Sequence, residues 1–459
     1  MYKIDFHNPI HVHFIGIGGI SMSGLAEILL KENFTISGSD ANTSPLTDRL
    51  GHLGASIFDN HSATNINKTI DLVVYTAAIG ADNEELLAAK KHQIPLLSRA
   101  QLLGQLMINY KLPIAVSGTH GKTTTTSMLS HILLEHNSDP TVSVGGILNV
   151  IGGNIRVGKS DYFLTEACEY TNSFLHFFPK ISIILNIEAD HLDFFKDIYE
   201  IRESFTRFAN LLPSDGLLVI NDGIENYEEI TKNLSCKIIT YGTSSTSDYF
   251  ADDISYDHLG HPTFQVMKNH LPYIKVSLHV GGDHNISNAL ASIAVSDYLN
   301  IPADSIQNGL FSFTGTNRRF EYKGQKNGIT VIDDYAHHPT EIRATLQAAM
   351  RYPHKDLWCV FQPHTYTRTK ALFPNFVDAL SSVSHVILTD IYAAREKNTF
   401  DISSKDLADA LEKTGCDVHY FSSFDAIEEF LIKNCKKEDL LITMGAGNVV
   451  NIGENFLKL

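Results

Sequence analysis

The run Gly118-Thr119-His120-Gly121-Lys122-Thr123-Thr124-Thr125-Thr126 follows the apolar stretch Pro113-Ile114-Ala115-Val116-Ser117. It opens a segment with apolar residues at helical spacing, Met128, Leu129, Ile132 and Leu133. A strand, a glycine turn and Lys-Thr at a helix start can hold a triphosphate. Backbone N–H groups of such a turn point at the phosphates, and the helix N-terminus adds a favourable field. Lys122 can reach the β- and γ-phosphates, and the Thr123 hydroxyl suits Mg²⁺. The spacing departs from the usual loop, whose first glycine would fall at Val116; only Thr119 and His120 separate Gly118 from Gly121. A Gly/Thr-rich turn without a ligand is the alternative.

Two strand-like runs end in acids. Tyr162-Phe163-Leu164-Thr165 leads to Glu166, and Ile181 to Ile187 leads to Glu188-Ala189-Asp190-His191-Leu192-Asp193. Ligands of open α/β sheets bind at the carboxyl ends of strands, so Glu166 can meet a Mg²⁺ held by Thr123. His191 alone reads as an ordinary polar residue, because Mg²⁺ prefers oxygen. The pair Arg318-Arg319 could clamp phosphate from across a cleft, or lie on the surface. Asp333-Asp334-Tyr335-Ala336-His337-His338-Pro339 invites zinc, but adjacent histidines share no face and the ligand spacing is absent.

An earlier glycine turn, Gly16-Ile17-Gly18-Gly19-Ile20-Ser21, follows His11-Val12-His13-Phe14-Ile15. Gly16 and Gly18 fit a dinucleotide fingerprint, and Asp40 lies 24 residues after Gly16. Ser21 stands where the third glycine belongs. A nucleotide diphosphate at the helix start is expected rather than NAD. An NAD-dependent oxidoreductase is the rival class, and a bare βα turn the bland reading.

The elements positioning these residues alternate strand and helix in three segments, which predicts an α/β protein of three domains. A Rossmann-like N-terminal domain is expected over 1–109, a P-loop ATPase-like central domain over 110–313, and a Rossmann-like C-terminal domain over 314–459. The last contains strand candidates Ile329–Asp333, Leu357–Phe361, His385–Thr389 and Leu440–Thr443. The 459 residues suit about three domains.

A net charge of −16 argues against nucleic acid, so a phosphorylated ligand needs local cations and backbone N–H groups. The longest apolar runs fall short of a membrane span, and Met1 to His7 opens no signal peptide. Five cysteines without a Cys-x-x-Cys pair suggest free thiols in a reducing cytoplasm.

Together the motifs resemble the Mur ligases, ATP-dependent amide ligases of peptidoglycan synthesis, over essentially the whole chain. The shortened phosphate loop, Asn186 to Asp193, His284-Asn285 with Asn288-Ala289, and Arg318-Arg319-Phe320-Glu321 carry the likeness. Four further segments resemble the branch that joins L-alanine to UDP-N-acetylmuramate. These are Phe14 to Ala26, Asp333 to Pro339, Phe361-Gln362-Pro363-His364 and Asp390 to Glu396.

The resemblance implies ATP on Gly118, Thr119, His120, Gly121, Lys122, Thr123 and Thr124, with His284 and Asn285 towards adenine and Arg319 and Asp334 completing the site. It implies Mg²⁺ on Thr123, Glu166 and His191, and catalytic roles for Lys122, Glu166, His191 and Arg319. The UDP moiety would lie on Gly16, Gly18, Gly19, Ile20 and Ser21, near Asp40, Thr76 and Ala77. L-Alanine would be presented by His337, His338, His364 and Arg368. A monomer or weak homodimer is expected.

Two positions depart from relatives. Some carry a lysine about fourteen residues after the signature histidine; here that position is Phe205, as in the alanine-adding branch. Some carry Arg after Gln-Pro-His; here it is Thr365, which leaves more to Arg368. A ligase attaching recycled peptides is the nearest alternative. An ATP-binding regulator without ligase activity is another.

Overall fold

A computed structural model describes residues 2–76, 78–394, 396–398 and 401–458. Among the described residues, three sheets lie along the chain. The first is parallel, in the order Ser56–Phe58, Thr35–Ser39, His11–Ile15, Leu72–Tyr75, Leu96–Ser98. Its order, 3-2-1-4-5, reverses direction at His11–Ile15, so the glycine turn leaves the sheet at its switch point. Val12, Phe14 and Ile15 are buried, as a strand covered on both faces requires.

The central sheet is ten-stranded. Leu112–Ser117 lies between Tyr162–Ala167 and Ile181–Ile184, both parallel to it. The phosphate turn and both acid-bearing strand ends therefore emerge on one edge. Here the structure differs from a purely parallel doubly wound sheet. Tyr249–Tyr256, Pro262–Lys268 and Leu271–Ser277 add an antiparallel arm, and Thr141–Leu148 with Gly153–Arg156 a hairpin. The tight turn Asn269-His270 has both φ angles positive (48° and 65°), the backbone that suits a two-residue hairpin.

The third sheet runs Glu321–Lys326, Ile329–Asp334, Leu440–Met444, Leu357–Phe361, His385–Leu388, Asp417–Tyr420, with only the first strand antiparallel.

The first two units share one apolar cluster. Leu25, Leu102 and Leu106 belong to the same buried core as Phe163, Phe174 and Phe205. Helix Arg99–Met107 meets the turn Tyr170–His176 at Gly104, where a Cβ would collide with the His176 carbonyl oxygen. The third unit keeps its own cores. Around the phosphate turn it meets the central unit through polar side chains, so the two interfaces differ in kind.

Candidate active site

Gly118 and Gly121 have φ of 142° and 81°, which a side chain rarely adopts. A Cβ on Gly121 would lie 2.6 Å from Asn288 Oδ1. The turn is clamped from the neighbouring strand end. His120 N–H donates to Asn186 Oδ1 (2.8 Å), Asn186 Nδ2 donates to the His120 carbonyl (3.2 Å), and Glu188 N–H donates to Thr119 Oγ1 (2.9 Å). Helix Lys122–Glu135 starts at the turn with no acid in its first turn, so its N-terminal field stays open to an anion.

Lys122 Nζ folds back onto the Gly118 and Thr119 carbonyls and pairs with Glu169 Oε2 at 3.1 Å. Burial opposes its charge, but Glu169 prevails and holds its pKa above the usual lysine value. Glu166 accepts the Gly145 N–H, and Thr123 lies beside Gly146. A Cβ on Gly145 would crowd the Glu166 carboxylate at 2.8 Å. Glu166 and Thr123 thus stand beside adjacent glycines of one strand, and carboxylate and hydroxyl oxygens are the donor type Mg²⁺ takes.

A cavity of about 280 Å³ opens beside the turn. His120, Thr123 and Thr124 line one wall, and His284, Asn285 and Asn288 a second. Arg319, Asp334 and Glu341 close it from the third unit. Burial pulls the His284 pKa down to about 4, so the ring is neutral at pH 7. Asn285 Nδ2 donates to the Gly281 carbonyl (2.7 Å), fixing the helix start. Burial pushes the Asp334 carboxyl up to about 6, and Arg319 only partly opposes it. The adjacent arginines separate. Arg318 is tied to Asp333 (2.9 Å) and to the Gly445 and Gly447 carbonyls, while Arg319 lines the cavity.

Side-chain contacts join the central unit to the third here. His120 Nδ1 stands 3.1 Å from Glu341 Oε1, Thr340 Oγ1 donates to Glu188 Oε2 (2.5 Å), and Arg368 pairs with Asp190 (2.9 Å). Burial works against charge on His120, yet Glu341 and Glu188 push its pKa up to about 9. His338 Nε2 lies 3.2 Å from the Ala189 carbonyl oxygen. His120, Glu188 and His338 offer ligand atoms within 4.8 Å of one another. Their distance in sequence hid that grouping, since the zinc reading considered only the 333–339 run.

His337 and His364 face each other at 5.6 Å between ring centroids, and Arg368 Nη1 lies 3.1 Å from His364 Nδ1. Burial lowers the pKa of His337 to about 3 and of His364 to about 4. Both rings are neutral hydrogen-bonding groups at pH 7.

At the first glycine turn, Gly16 and Ile17 N–H both donate to the Ser39 carbonyl, Gly18 N–H to Asp40 Oδ2 (2.9 Å), and Gly19 N–H to the Gly16 carbonyl. These glycine N–H groups are thus committed within the turn. Open N–H groups begin at helix Ile20–Lys31, whose first turn holds Ile20 and Ser21. Arg99 Nη1 donates to Ser21 Oγ at 3.0 Å. Thr76 packs over Gly16, where a Cβ would meet its methyl group at 2.7 Å. Ala77 lies outside the described residues, as does Arg395 of the 390–396 segment.

Three family descriptions match in chain order: "Mur ligase family, catalytic domain" over residues 11–111, "Mur ligase middle domain" over 116–296, and "Mur ligase, glutamate ligase domain" over 318–447. A curated UDP-N-acetylmuramate–L-alanine ligase of Agathobacter rectalis is 60% identical over 458 residues, covering 100% of both chains. The chain belongs to the Mur ligase family. A ligase of the same description from Lachnoclostridium phytofermentans is 56% identical, again with 100% of both chains covered. The solved UDP-N-acetylmuramate–alanine ligase of Thermotoga maritima superposes with a TM-score of 0.81 at 30% identity, covering 98% of each chain. A murein peptide ligase from Psychrobacter arcticus superposes at 0.70 with 26% identity, also covering 98% of each.

Against this Mur ligase frame, the residues that sequence reasoning missed are charged groups answering a partner far along the chain. Glu169 lies three residues past Glu166 and meets Lys122. Glu341 is a helix-capping acid that meets His120. Arg99 opens a helix and meets Ser21. Only an unusual charge position signals Arg99, because a cation at a helix N-terminus is disfavoured by the helix field.

Proposed function

We infer that this Mur ligase joins L-alanine to the carboxylate of UDP-N-acetylmuramate at the expense of ATP. What carries the reading is the meeting of a phosphate turn, a strand-end carboxylate and an arginine from another unit around one cavity, in a chain matched end to end by L-alanine ligases. A sugar-nucleotide carboxylate oxygen attacks the γ-phosphorus, and ADP leaves. The alanine amine then attacks the acyl carbon, loses a proton, and expels phosphate to form the amide.

We assign the residues as follows. Lys122 leaves Glu169 and stabilises the transferred phosphoryl group, and Arg319 completes the clamp from the third unit. Thr123, Glu166 and His191 would hold Mg²⁺, which would supply charge neutralisation at the phosphates. His284 and Asn285 lie along the base, and Asp334 closes the cavity. The diphosphate lies on the Ile20–Ser21 end of the first glycine turn. His337, His338, His364 and Arg368 present L-alanine. Domains are placed at 1–109, 110–313 and 314–459, in a cytoplasmic protein acting as a monomer or weak homodimer. Among the described residues no helix is long and apolar enough to cross a membrane.

The test supplies ATP, Mg²⁺ and UDP-N-acetylmuramate with either L-alanine or a peptide. A product heavier by one alanyl residue supports the reading. Product with the peptide alone moves the chain to the recycling ligases.

A further inference from the structure

The phosphate turn carries a histidine whose two ring nitrogens are placed differently. His120 Nδ1 stands 3.1 Å from Glu341 Oε1, while Nε2 is buried without a hydrogen-bond partner. A histidine with one N–H on a carboxylate and the other nitrogen bare is oriented as metal ligands are, because the carboxylate fixes the ring and raises the basicity of the free nitrogen. The atoms facing Nε2 are of matching kind. Glu188 Oε2 lies 3.6 Å away, too far for a hydrogen bond. His338, from the third unit, brings Nδ1 to 4.0 Å from the same oxygen. Its Nε2 donates to the Ala189 carbonyl oxygen (3.2 Å), so this second ring is held in the same manner.

The spacing suits a small ion. A tetrahedral Zn²⁺ with ligands at ~2.0 Å holds them ~3.3 Å apart. The separations of 3.6 and 4.0 Å exceed that by less than an ångström, and the three residues offer ligand atoms within 4.8 Å of one another. Two imidazoles and one carboxylate favour Zn²⁺ or Co²⁺ over Mg²⁺, which takes oxygen. The ligands come from the phosphate turn, the segment after strand Ile181–Ile184, and the N-cap of helix Pro339–Arg351. Of the adjacent histidines only His338 takes part, since His337 turns to His364.

We propose that His120, Glu188 and His338 form a Zn²⁺-type site that fastens the third unit to the phosphate turn. The site uses none of the side chains assigned above to Mg²⁺, and it does not depend on the ligase reading. Without the ion, a proton on His120 balances Glu188 and Glu341; the ion takes the place of that proton at Nε2. The Thr340 N–H reaches His338 Nδ1 over a long 3.3 Å, and this is the contact the ion displaces. Three protein ligands leave a fourth position for water.

The test titrates Co²⁺ into the full chain, first stripped with a chelator and then held in excess Mg²⁺ to fill oxygen-donor sites. Four-coordinate Co²⁺ absorbs visible light far more strongly than six-coordinate Co²⁺, so geometry is read directly. The wild type is expected to develop the intense bands with one Co²⁺ per chain, and to lose them when one Zn²⁺ is added. Zn²⁺ should also raise its melting temperature. His338→Asn removes the ligand ring but keeps a side chain that can cap the helix, and Glu188→Gln keeps an acceptor for Thr340. Each is expected to weaken the site at least tenfold, and melting curves without metal show that each is folded. Absence of the intense bands in the wild type, or weakening of less than tenfold in either folded variant, would overturn the proposal.

Discussion

Arg368 and Asp190 form a buried ion pair across two units of the protein. The Nε and Nη2 atoms both donate to Asp190 Oδ1, at 3.0 and 2.9 Å. Burial would raise the Asp190 carboxyl, but Arg368 holds it well below the usual carboxylate range. The cation assigned to the alanine carboxylate is thus aimed by the residue next to His191. Two donors in a fixed fork converging on one oxygen belong to guanidinium, not ammonium. Arg368→Lys is therefore expected to raise KM for L-alanine more than tenfold while leaving ATP affinity within about twofold. Steady-state kinetics with each substrate varied in turn checks this.

Lys122 and Glu166 are the two groups assigned above to the transferred phosphoryl group and its Mg²⁺. Lys122→Ala and Glu166→Gln are each expected to lower turnover about a hundredfold or more, the scale of lost transition-state charge stabilisation. Melting curves should show both variants folded. Near-wild-type turnover in either one removes that residue from the mechanism.

The His120–Glu341 contact predicts a pH dependence of domain closure. His120 has a pKa of about 9 in the closed arrangement, against an ordinary 6.5 when freed. A raised histidine pKa means the stabilisation is complete below about pH 6.5 and lost as pH rises through about 9. Small-angle scattering of the wild type should show expansion between pH 7 and 9.5. Glu341→Gln should be more open at pH 7 and respond less. A wild-type radius unchanged across that range contradicts the assignment.

Gly104 sets the approach of the first unit to the central one. Gly104→Ala places a methyl group against the His176 carbonyl, a backbone atom that cannot swing aside. The expected loss is about 1–3 kcal/mol, typical of overpacking. Thermal or denaturant unfolding measures it.

Much of this was legible in the sequence because the information is local. A strand, two glycines and Lys-Thr specify the phosphate turn within ten residues, and the acids at Glu166 and Glu188 to Asp193 end their own strands. The fold class followed from alternation of strand and helix. The antiparallel arm over 249–277 was silent because its turn is Asn269-His270, without the glycine that usually marks such a hairpin. Pairings across units were equally silent. Asp190 and Arg368 are 178 residues apart, and nothing near either names the other. Local reading likewise joined Arg318 to Arg319, though one braces a strand end and the other faces the cavity.

The most direct test follows the oxygen that bonds to phosphorus. UDP-N-acetylmuramate labelled with ¹⁸O in its carboxylate is incubated with ATP, Mg²⁺ and L-alanine, and the released phosphate is weighed by mass spectrometry. Transfer of one ¹⁸O into each phosphate, in step with alanyl product, is the predicted result. Phosphate release without label would contradict attack by the sugar carboxylate on ATP.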